Sequence, residues 1–418
     1  MTGFLIICVS TAVFAMIAQR LSLTSVTAPM VFLAIGFVLS VSGLVSEHQG
    51  HTLLHPVAEV TLVVLLFLDA AQTDLVALRK RHIWPTRMLL VGLPVSIVLG
   101  AAAGLLLLPT WPFVAVALLA AVLAPTDAAL GQAVVTNPNV PIRPRRALTV
   151  ESGLNDGLAL PVILFFASLT AAETSVDGGA WLVFGLKQIV LGPIVGMIVG
   201  ALGGWMLLRA KALNTTAEIY EGVGALAMAG TAYLAAVQIG GNGFIAAFVA
   251  GLTLGGLIKG ACKFVYEFTE SEGQLLAWGS FLLLGAALVP EAIAHLSWSM
   301  LAVILVSLFV VRPLAIWVSL LGTDASPLTR LFFGWFGPRG LATALFALLI
   351  VDQIPDVFGD QILHTAINAV WISAVLHGIT AAPAARWYGG KITELGATAE
   401  TQDIQDSAKP IITSRHQQ

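Results

Sequence analysis

The chain has 418 residues, of which 58% are hydrophobic and only 10% are charged. Ordinary globular proteins carry about 25% charged residues, so this composition argues against a soluble protein and indicates one that crosses a membrane many times. The formal net charge of −3 at pH 7 says little, because the distribution of charge among the loops of a membrane protein matters more than its sum.

Apolar runs long enough for one bilayer crossing, about 20 residues at 1.5 Å per residue, recur along the whole chain. We predict thirteen transmembrane helices from them, and hence an all-α polytopic membrane protein. The runs lie near residues 3–19, 25–45, 53–71, 88–108, 112–134, 147–171, 180–208, 217–238, 242–258, 273–290, 297–320, 331–351 and 361–385. The first run could also be a signal peptide, but it lacks a basic start and a small-residue cleavage site, so we predict that it stays as a helix.

The basic residues predict the orientation of the chain. Three basic residues, Lys187, Arg312 and Arg339, fall inside predicted spans. All the other Lys and Arg residues fall in loops or in the tail, and those segments all lie on one side of the membrane. By the positive-inside rule, the N-terminus is outside and the C-terminus is cytoplasmic, with the plasma membrane as the expected location. We expect a transmembrane domain over residues 1–391 and a short, polar, disordered cytoplasmic tail over residues 392–418.

Five of the charges inside or at the edges of the predicted spans stand out. They are the acids Asp69, Asp127, Glu151 and Asp156 and the cation Arg339. A single such charge is often a structural pair or a side chain that reaches the interface, but an intramembrane charge is costly and commonly marks an ion pathway. Five together therefore predict a polar pathway through the protein.

The segment ESGLNDG, residues 151–157, concentrates oxygen atoms on one helical face. Ser152, Asn155 and Asp156 stand at positions i, i+3 and i+4, which are neighbours on a helix surface, and Glu151 lies one position off that face. A hard cation such as Na⁺ prefers oxygen ligands, and the same carboxylate can take a proton instead. A site that holds either ion, and moves only when occupied, would exchange the two.

Proline residues beside charges interrupt two of the predicted spans. Pro125 removes a helical hydrogen bond within LAPTDAALG, so the backbone before it is expected to unwind. There Thr126 offers a carbonyl or hydroxyl oxygen, and Asp127 can balance a helix N-terminus. The segment GPRG, residues 337–340, interrupts a span in the second half of the chain. Transporters with inverted repeats build their ion sites from such discontinuous helices.

At these residues the sequence resembles the monovalent cation/proton antiporters of the NhaP and NHE branch. The segment ESGLNDG resembles the signature of that branch, APTDA its broken-helix motif, LLFLDAAQTDL its third-helix acidic motif and GPRG its late arginine motif. The resemblance extends from residue 1 to about residue 390 in order and spacing. It implies two inverted repeats with discontinuous crossing helices, in which a core subdomain slides against an interleaved dimerisation subdomain, and it implies a homodimer in lipid.

The resemblance also implies roles for individual residues. Asp156 would carry the ion and the proton, and its co-ligands would be Ser152, Asp69 and the main-chain oxygen of Thr126. Asn155 would hold the geometry of the site.

The two remaining charges would form a buried ion pair between Glu151 and Arg339, because each charge would then lower the cost of burying the other. The chain departs from the branch at Ala128, where proline is common, and at Asp69, where some relatives carry glutamate. The shorter side chain of Asp69 bears on cation preference, since selectivity depends on cavity size and ligand count.

These patterns predict a secondary antiporter that exchanges Na⁺ or Li⁺ for H⁺, with no cofactor, no bound nucleotide and no nucleic acid as partner. Because Asn155 is neutral, the exchange is expected to be electroneutral and 1:1, although Asp69 could titrate together with Asp156. Three alternatives stay open at this point. They are a K⁺/H⁺ antiporter on the same fold, a transporter of organic anions, and an ion channel.

Overall fold

The computed structural model describes residues 2–21, 26–44, 47–73, 83–174, 178–258, 263–396 and 398–401. Within these ranges every regular element is a helix, as the fold-class prediction requires. The first part of the chain forms α1 (Thr2–Leu21), α2 (Ala28–Val41), α3 (Glu47–Ala71), α4 (Ile83–Leu107), α5 (Phe113–Val122), α6 (Ala128–Val135) and α7 (Ile142–Thr174).

The second part continues with α8 (Gly178–Ala212), α9 (Glu218–Gln238), α10 (Gly243–Ile258), α11 (Lys263–Ala287), α12 (Val289–Ala294), α13 (Trp298–Ser319), α14 (Pro327–Trp335), α15 (Leu341–Val351) and α16 (Asp356–Leu395). These helices follow the predicted apolar runs, except that two runs are each divided into two shorter helices. Among the described residues, six helices are individually long and apolar enough to cross a membrane. The total of thirteen crossings stays a prediction.

The same succession of features occurs in α4–α7 and in α13–α16. Met88–Gly92 and Ser307–Val311 are π-helical turns, and in each case a proline, Pro94 or Pro313, lies two residues after the turn. Proline lacks the N–H that an α-helix needs and crowds the preceding turn, which favours this wider local winding. In both halves a broken helix and then a long helix come next, so the two halves repeat one architecture.

Two glycines of α10 hold the end of α3 that carries Asp69. A Cβ atom at Gly251 would collide with the main chain of Phe67, and one at Gly255 would collide with the main chain of Ala71. Only glycine allows two helix backbones to approach this closely. The backbone on both sides of Asp69 is therefore fixed against α10.

The first residues of the predicted disordered tail are folded. Helix α16 continues to Leu395, and the Glu400 carboxylate is buried, where it accepts hydrogen bonds from the backbone N–H of Ser326 at 3.1 Å and from the Thr329 hydroxyl at 2.6 Å. Ser326 is the N-cap residue of α14, and a carboxylate is favourable at a helix N-terminus. The prediction of disorder was wrong for this short segment, and residues 402–418 lie outside the described residues.

Candidate functional site

The two interrupted helices meet at their breaks. Residues 123–127 are not helical between α5 and α6, and residues 336–340 are not helical between α14 and α15. The backbone N–H of Asp127 donates to the carbonyl of Pro338 at 2.9 Å. The unwinding predicted at both prolines is confirmed, and the two breaks lie directly against each other.

Asp127 lies at the start of two half-helices. Its Oδ1 accepts a hydrogen bond from the N–H of Leu130 in α6 at 3.0 Å, and its Oδ2 accepts one from the N–H of Leu341 in α15 at 2.7 Å. A carboxylate here satisfies N–H groups that have no partner within their own helix and compensates the positive helix ends. A Cβ atom on Gly340 would overlap this carboxylate, so the arrangement requires glycine at position 340.

Arg339 lies at the opposite, carbonyl end of the first break. Its Nη1 donates to the carbonyl oxygens of Ala124 at 2.5 Å and Pro125 at 3.0 Å, and its Nη2 donates to the Ser307 hydroxyl at 3.3 Å. The side chain is only 1% exposed. Arg339 therefore compensates the negative end of α5, where the break leaves carbonyl groups without helical partners.

The expected ion pair between Glu151 and Arg339 was wrong. Glu151 pairs instead with Arg312 on α13, with Nη1 to Oε1 at 2.5 Å and Nη2 to Oε2 at 2.7 Å. These side chains are 2% and 3% exposed. The physical reason is that the carbonyl groups of the first break already occupy the Arg339 guanidinium, whereas Arg312, directly after the π turn of α13, reaches Glu151 with both of its terminal nitrogens.

Asp156 lies on α7 beside a large open cavity. This cavity has a volume of about 1470 Å³, including its mouth, and Asp69 and Asp127 also line it. Asp156 Oδ1 is buried and has no hydrogen-bond partner in the protein. A buried oxygen of this kind is costly unless something satisfies it. Gln72 and Thr136, near the ends of α3 and α6, line the same cavity.

The other predicted residues of α7 surround the first break. Asn155 Nδ2 donates to Thr126 Oγ1 at 2.5 Å, and the Ser152 hydroxyl lies 3.4 Å from the same Thr126 oxygen. All three residues are buried, and Asn155 Oδ1 has no protein partner. Asn155, the residue before Asp156, and Ser152, one helical turn before it, thus hold the unwound chain at Thr126.

Asp69 approaches α7 from the other side. The Asp69 side chain packs beside Gly153, where an added Cβ atom would lie 3.7 Å from Asp69 Cβ. The structure therefore brings Asp69, Asp127 and Asp156 to one cavity, with Thr126, Ser152 and Asn155 beside them. It does not bring the Glu151 carboxylate or the Arg339 guanidinium to that cavity.

Two buried groups complete the frame of the site. Arg312 lies inside a predicted span and has no role among the sequence predictions, although a lone arginine before a proline in an apolar run indicates an internal partner. His377 on α16 is the second of these groups, and both of its ring nitrogens have partners. Its Nε2 lies 2.9 Å from the Trp335 carbonyl, and its Nδ1 lies 3.0 Å from the Ser373 hydroxyl, which accepts from the Arg339 N–H.

Comparison with known proteins gives several similar sequences. A K⁺/H⁺ antiporter NhaP of Alkalimonas amylolytica is 28% identical over 86% of this chain and 62% of that protein. A K⁺/H⁺ antiporter NhaP2 of Shewanella sp. ANA-3 is 26% identical over 92% of this chain and 66% of that protein. A Na⁺/H⁺ antiporter of Methanocaldococcus jannaschii is 27% identical over 56% of each. The chain thus spans somewhat less than two thirds of the length of the two K⁺/H⁺ relatives.

Solved structures match over nearly the whole chain. The sodium proton antiporter MjNhaP1 of Methanocaldococcus jannaschii at pH 8 superposes with a TM-score of 0.76 at 19% identity, covering 95% of this chain and 98% of the other. This likeness establishes the antiporter fold. The family model for the transmembrane sodium/hydrogen exchanger matches residues 6–387. The chain belongs to the family of transmembrane sodium/hydrogen exchangers.

Proposed function

We propose that this protein is a secondary antiporter that exchanges one monovalent alkali cation for one proton by alternating access, with both ions competing for Asp156. The observation that carries the proposal is the buried Asp156 Oδ1, which lacks a protein partner beside a cavity of about 1470 Å³. Either a proton or a desolvated cation would satisfy this oxygen. Because only one of them can do so at a time, loading one ion requires release of the other.

The further ligands come from three neighbouring elements. The Ser152 hydroxyl, the Asp69 carboxylate and the main-chain oxygen of Thr126 would complete the shell of oxygen atoms around the cation. Asn155 acts as a positioning residue, because its amide holds the Thr126 side chain at 2.5 Å. Oxygen donors from a broken helix and two continuous helices are the arrangement that a dehydrated hard cation requires.

The charge on the site favours electroneutral exchange. Asn155 is neutral, and Asp127 has both carboxylate oxygens bound by the N–H groups of α6 and α15. Asp156 would then be the one carboxylate that changes partner, so that bound Na⁺ and bound H⁺ leave the same net charge. A second proton carried by Asp69 together with Asp156 would instead make the exchange electrogenic.

Two cations are candidates. We infer Na⁺, with Li⁺ as its smaller analogue, because the oxygen-rich site suits a hard cation and the matched fold is that of a sodium proton antiporter. K⁺ is the second candidate, because two of the similar sequences are named K⁺/H⁺ antiporters. Both cations use the same residues, so a direct comparison of ions decides between them.

The cavity is proposed to open to the cytoplasm. Its lining reaches Thr136, close in sequence to the basic segment Arg143–Arg146, which the positive-inside rule places on the cytoplasmic side of the membrane. The N-terminus would then be outside and the C-terminus inside.

Helix α8 exposes large apolar side chains, among them Leu202, Trp205 and Met206. They would face lipid or the second copy of a homodimer.

The test measures dissipation of an imposed pH gradient in proteoliposomes after addition of Na⁺, Li⁺ or K⁺. Wild type, Asp156→Asn and a control, Asp352→Asn, are compared, since Asp352 is an exposed carboxylate beyond α15. The proposal expects exchange in wild type and the control and none in Asp156→Asn, whether or not the membrane potential is clamped. Full exchange in Asp156→Asn would exclude Asp156 as the carrier.

A further inference from the structure

A second cluster of metal-ligating side chains lies away from the proposed ion site. Glu291 on α12 and His295 directly after it face His364 on α16, and the ligand atoms of all three residues lie within 4.8 Å of one another. His364 Nε2 is 3.6 Å from Glu291 Oε1, and the two imidazole rings stack at 4.8 Å. None of these residues lines the cavity beside Asp156.

The chemistry of this cluster suits a divalent transition metal. Zinc binds histidine nitrogens and carboxylate oxygens at about 2.0–2.2 Å, which puts tetrahedral ligands about 3.4 Å apart. Ligand atoms up to 4.8 Å apart therefore need to approach one another by as much as about 1.4 Å. Glu291 and His295 are exposed, so their side chains can rotate to do so. Asp360 lies one helical turn before His364 and can supply a fourth ligand.

One histidine is already oriented as a ligand. His295 Nδ1 lies 3.0 Å from the main-chain oxygen of Glu291, and a ring that donates its Nδ1–H to a carbonyl leaves Nε2 unprotonated. Histidines that bind metals are commonly fixed in this way by a hydrogen bond from the opposite nitrogen. The hydrogen bond thus selects the tautomer that can bind a cation.

Helix α12 connects two different parts of the protein. It follows α11, which packs on α2 and α3, and precedes α13, which packs on α4 and α16. Asn368 Nδ2 on α16 donates to the carbonyl of Ala292 at 2.6 Å, so α12 already rests on α16. A metal held by Glu291, His295 and His364 would add a second, stronger tie across the same contact.

We propose that Glu291, His295 and His364 form a site for Zn²⁺ or a similar divalent transition metal, and that its occupancy holds α12 on α16 and slows the exchange cycle. His364 lies near the start of α16 and Glu400 follows the end of that helix, so the site is at the end of α16 away from Glu400. The effect on the exchange cycle rests on the proposed function, whereas metal binding does not.

Zinc binding is tested on the full chain in detergent by isothermal titration with ZnCl₂ alone. The variants are His295→Ala/His364→Ala and, as control, His55→Ala, because His55 is an exposed histidine of α3. We expect one site in wild type and in the control, and at least tenfold weaker binding in the double variant. Equal binding in wild type and the double variant would overturn the site.

The effect on transport is tested in the same proteoliposome assay with zinc added. Exchange by wild type and His55→Ala should slow several-fold, and exchange by His295→Ala/His364→Ala should not change. Zinc inhibition that is equal in all three proteins would overturn the link to α12. If no protein exchanged any cation, the proposed function would fail, but the titration would still decide whether the metal site exists.

Discussion

Glu151 on α7 and Arg312 on α13 are joined by two short contacts, of 2.5 Å and 2.7 Å, and neither side chain is more than 3% exposed. Each residue belongs to a different half of the chain. Removing one partner of a buried pair leaves an uncompensated charge and typically costs about 3–5 kcal/mol, whereas replacing both costs far less. This difference allows the pair to be tested independently of transport.

Glu151→Gln is therefore expected to lower the melting temperature of the detergent-solubilised protein by several degrees, because it leaves the Arg312 charge buried without a counter-charge. The measurement is thermal aggregation followed by size-exclusion chromatography. Adding Arg312→Gln should restore much of the loss. Adding Arg339→Gln to Glu151→Gln should lower the melting temperature further. Restoration by Arg339→Gln would instead support the pairing with Arg339 that the structure does not show.

Gly340→Ala should destabilise the protein and abolish exchange. The new methyl group would overlap the Asp127 carboxylate and displace the acceptor of the Leu341 N–H, so α15 would lose its N-terminal hydrogen bond. Gly256→Ala in α10 is the matched control, because an added Cβ atom there meets no atom within 4 Å. Both variants are compared by yield, melting temperature and cation-dependent dissipation of a pH gradient. Equal behaviour of the two variants would contradict the role assigned to Gly340.

Asn155→Asp is expected to make exchange depend on the membrane potential. The substitution places a second carboxylate next to Asp156, and a site with two acids favours two protons for each cation. An ionised aspartate cannot donate to Thr126 Oγ1 as the Asn155 amide does at 2.5 Å, so slower exchange is also expected. The measurement is the exchange rate with the potential clamped to zero and then unclamped. A rate that ignores the clamp in this variant would contradict the charge argument.

Arg143 and Asp324 form a salt bridge at 2.7 Å. Its contribution to the stability of the protein should not change with pH near neutrality. Burial on its own raises the pKa of the Asp324 carboxyl, but hydrogen bonds from Arg143 and Trp84 and the Arg143 charge outweigh it and hold that pKa below the ordinary value of 3.8. A lowered folded-state pKa contributes stability that is present above pH 3.8 and is lost as the pH falls through the folded value.

The melting temperatures of wild type and Asp324→Asn, measured against pH, check this expectation. Their difference should stay constant from about pH 5 to pH 8 and shrink below about pH 4. A difference that changes between pH 6 and pH 8 would show that another group controls the salt bridge.

Features set by local chemistry could be predicted from the sequence. The breaks at Pro125 and Pro338 follow from the missing N–H of proline within an apolar run, and the helical face shared by Ser152, Asn155 and Asp156 follows from spacing alone. The apolar runs likewise located the helices, because each crossing must bury its own backbone hydrogen bonds.

Features that depend on how distant helices pack could not be predicted in this way. The partner of Glu151 depends on which of two buried arginines can reach it. Arg339 does not pair with Glu151, because its guanidinium donates to the carbonyls of Ala124 and Pro125 instead. Local composition around Glu400 is polar and predicts disorder, but Ser326 and Thr329 provide its partners from a remote part of the sequence.

The contact between the two helix breaks, residues 123–127 and 336–340, also affects the folding of the protein during its synthesis. Asp127 satisfies the start of α15, and Arg339 satisfies the end of α5, so each half of the chain supplies the charge that the other half lacks. During synthesis the first broken helix enters the bilayer long before Arg339 exists, with its carbonyl groups uncompensated. The two halves are therefore obliged to complete their folding together, and neither half is expected to be stable in a membrane when it is produced alone.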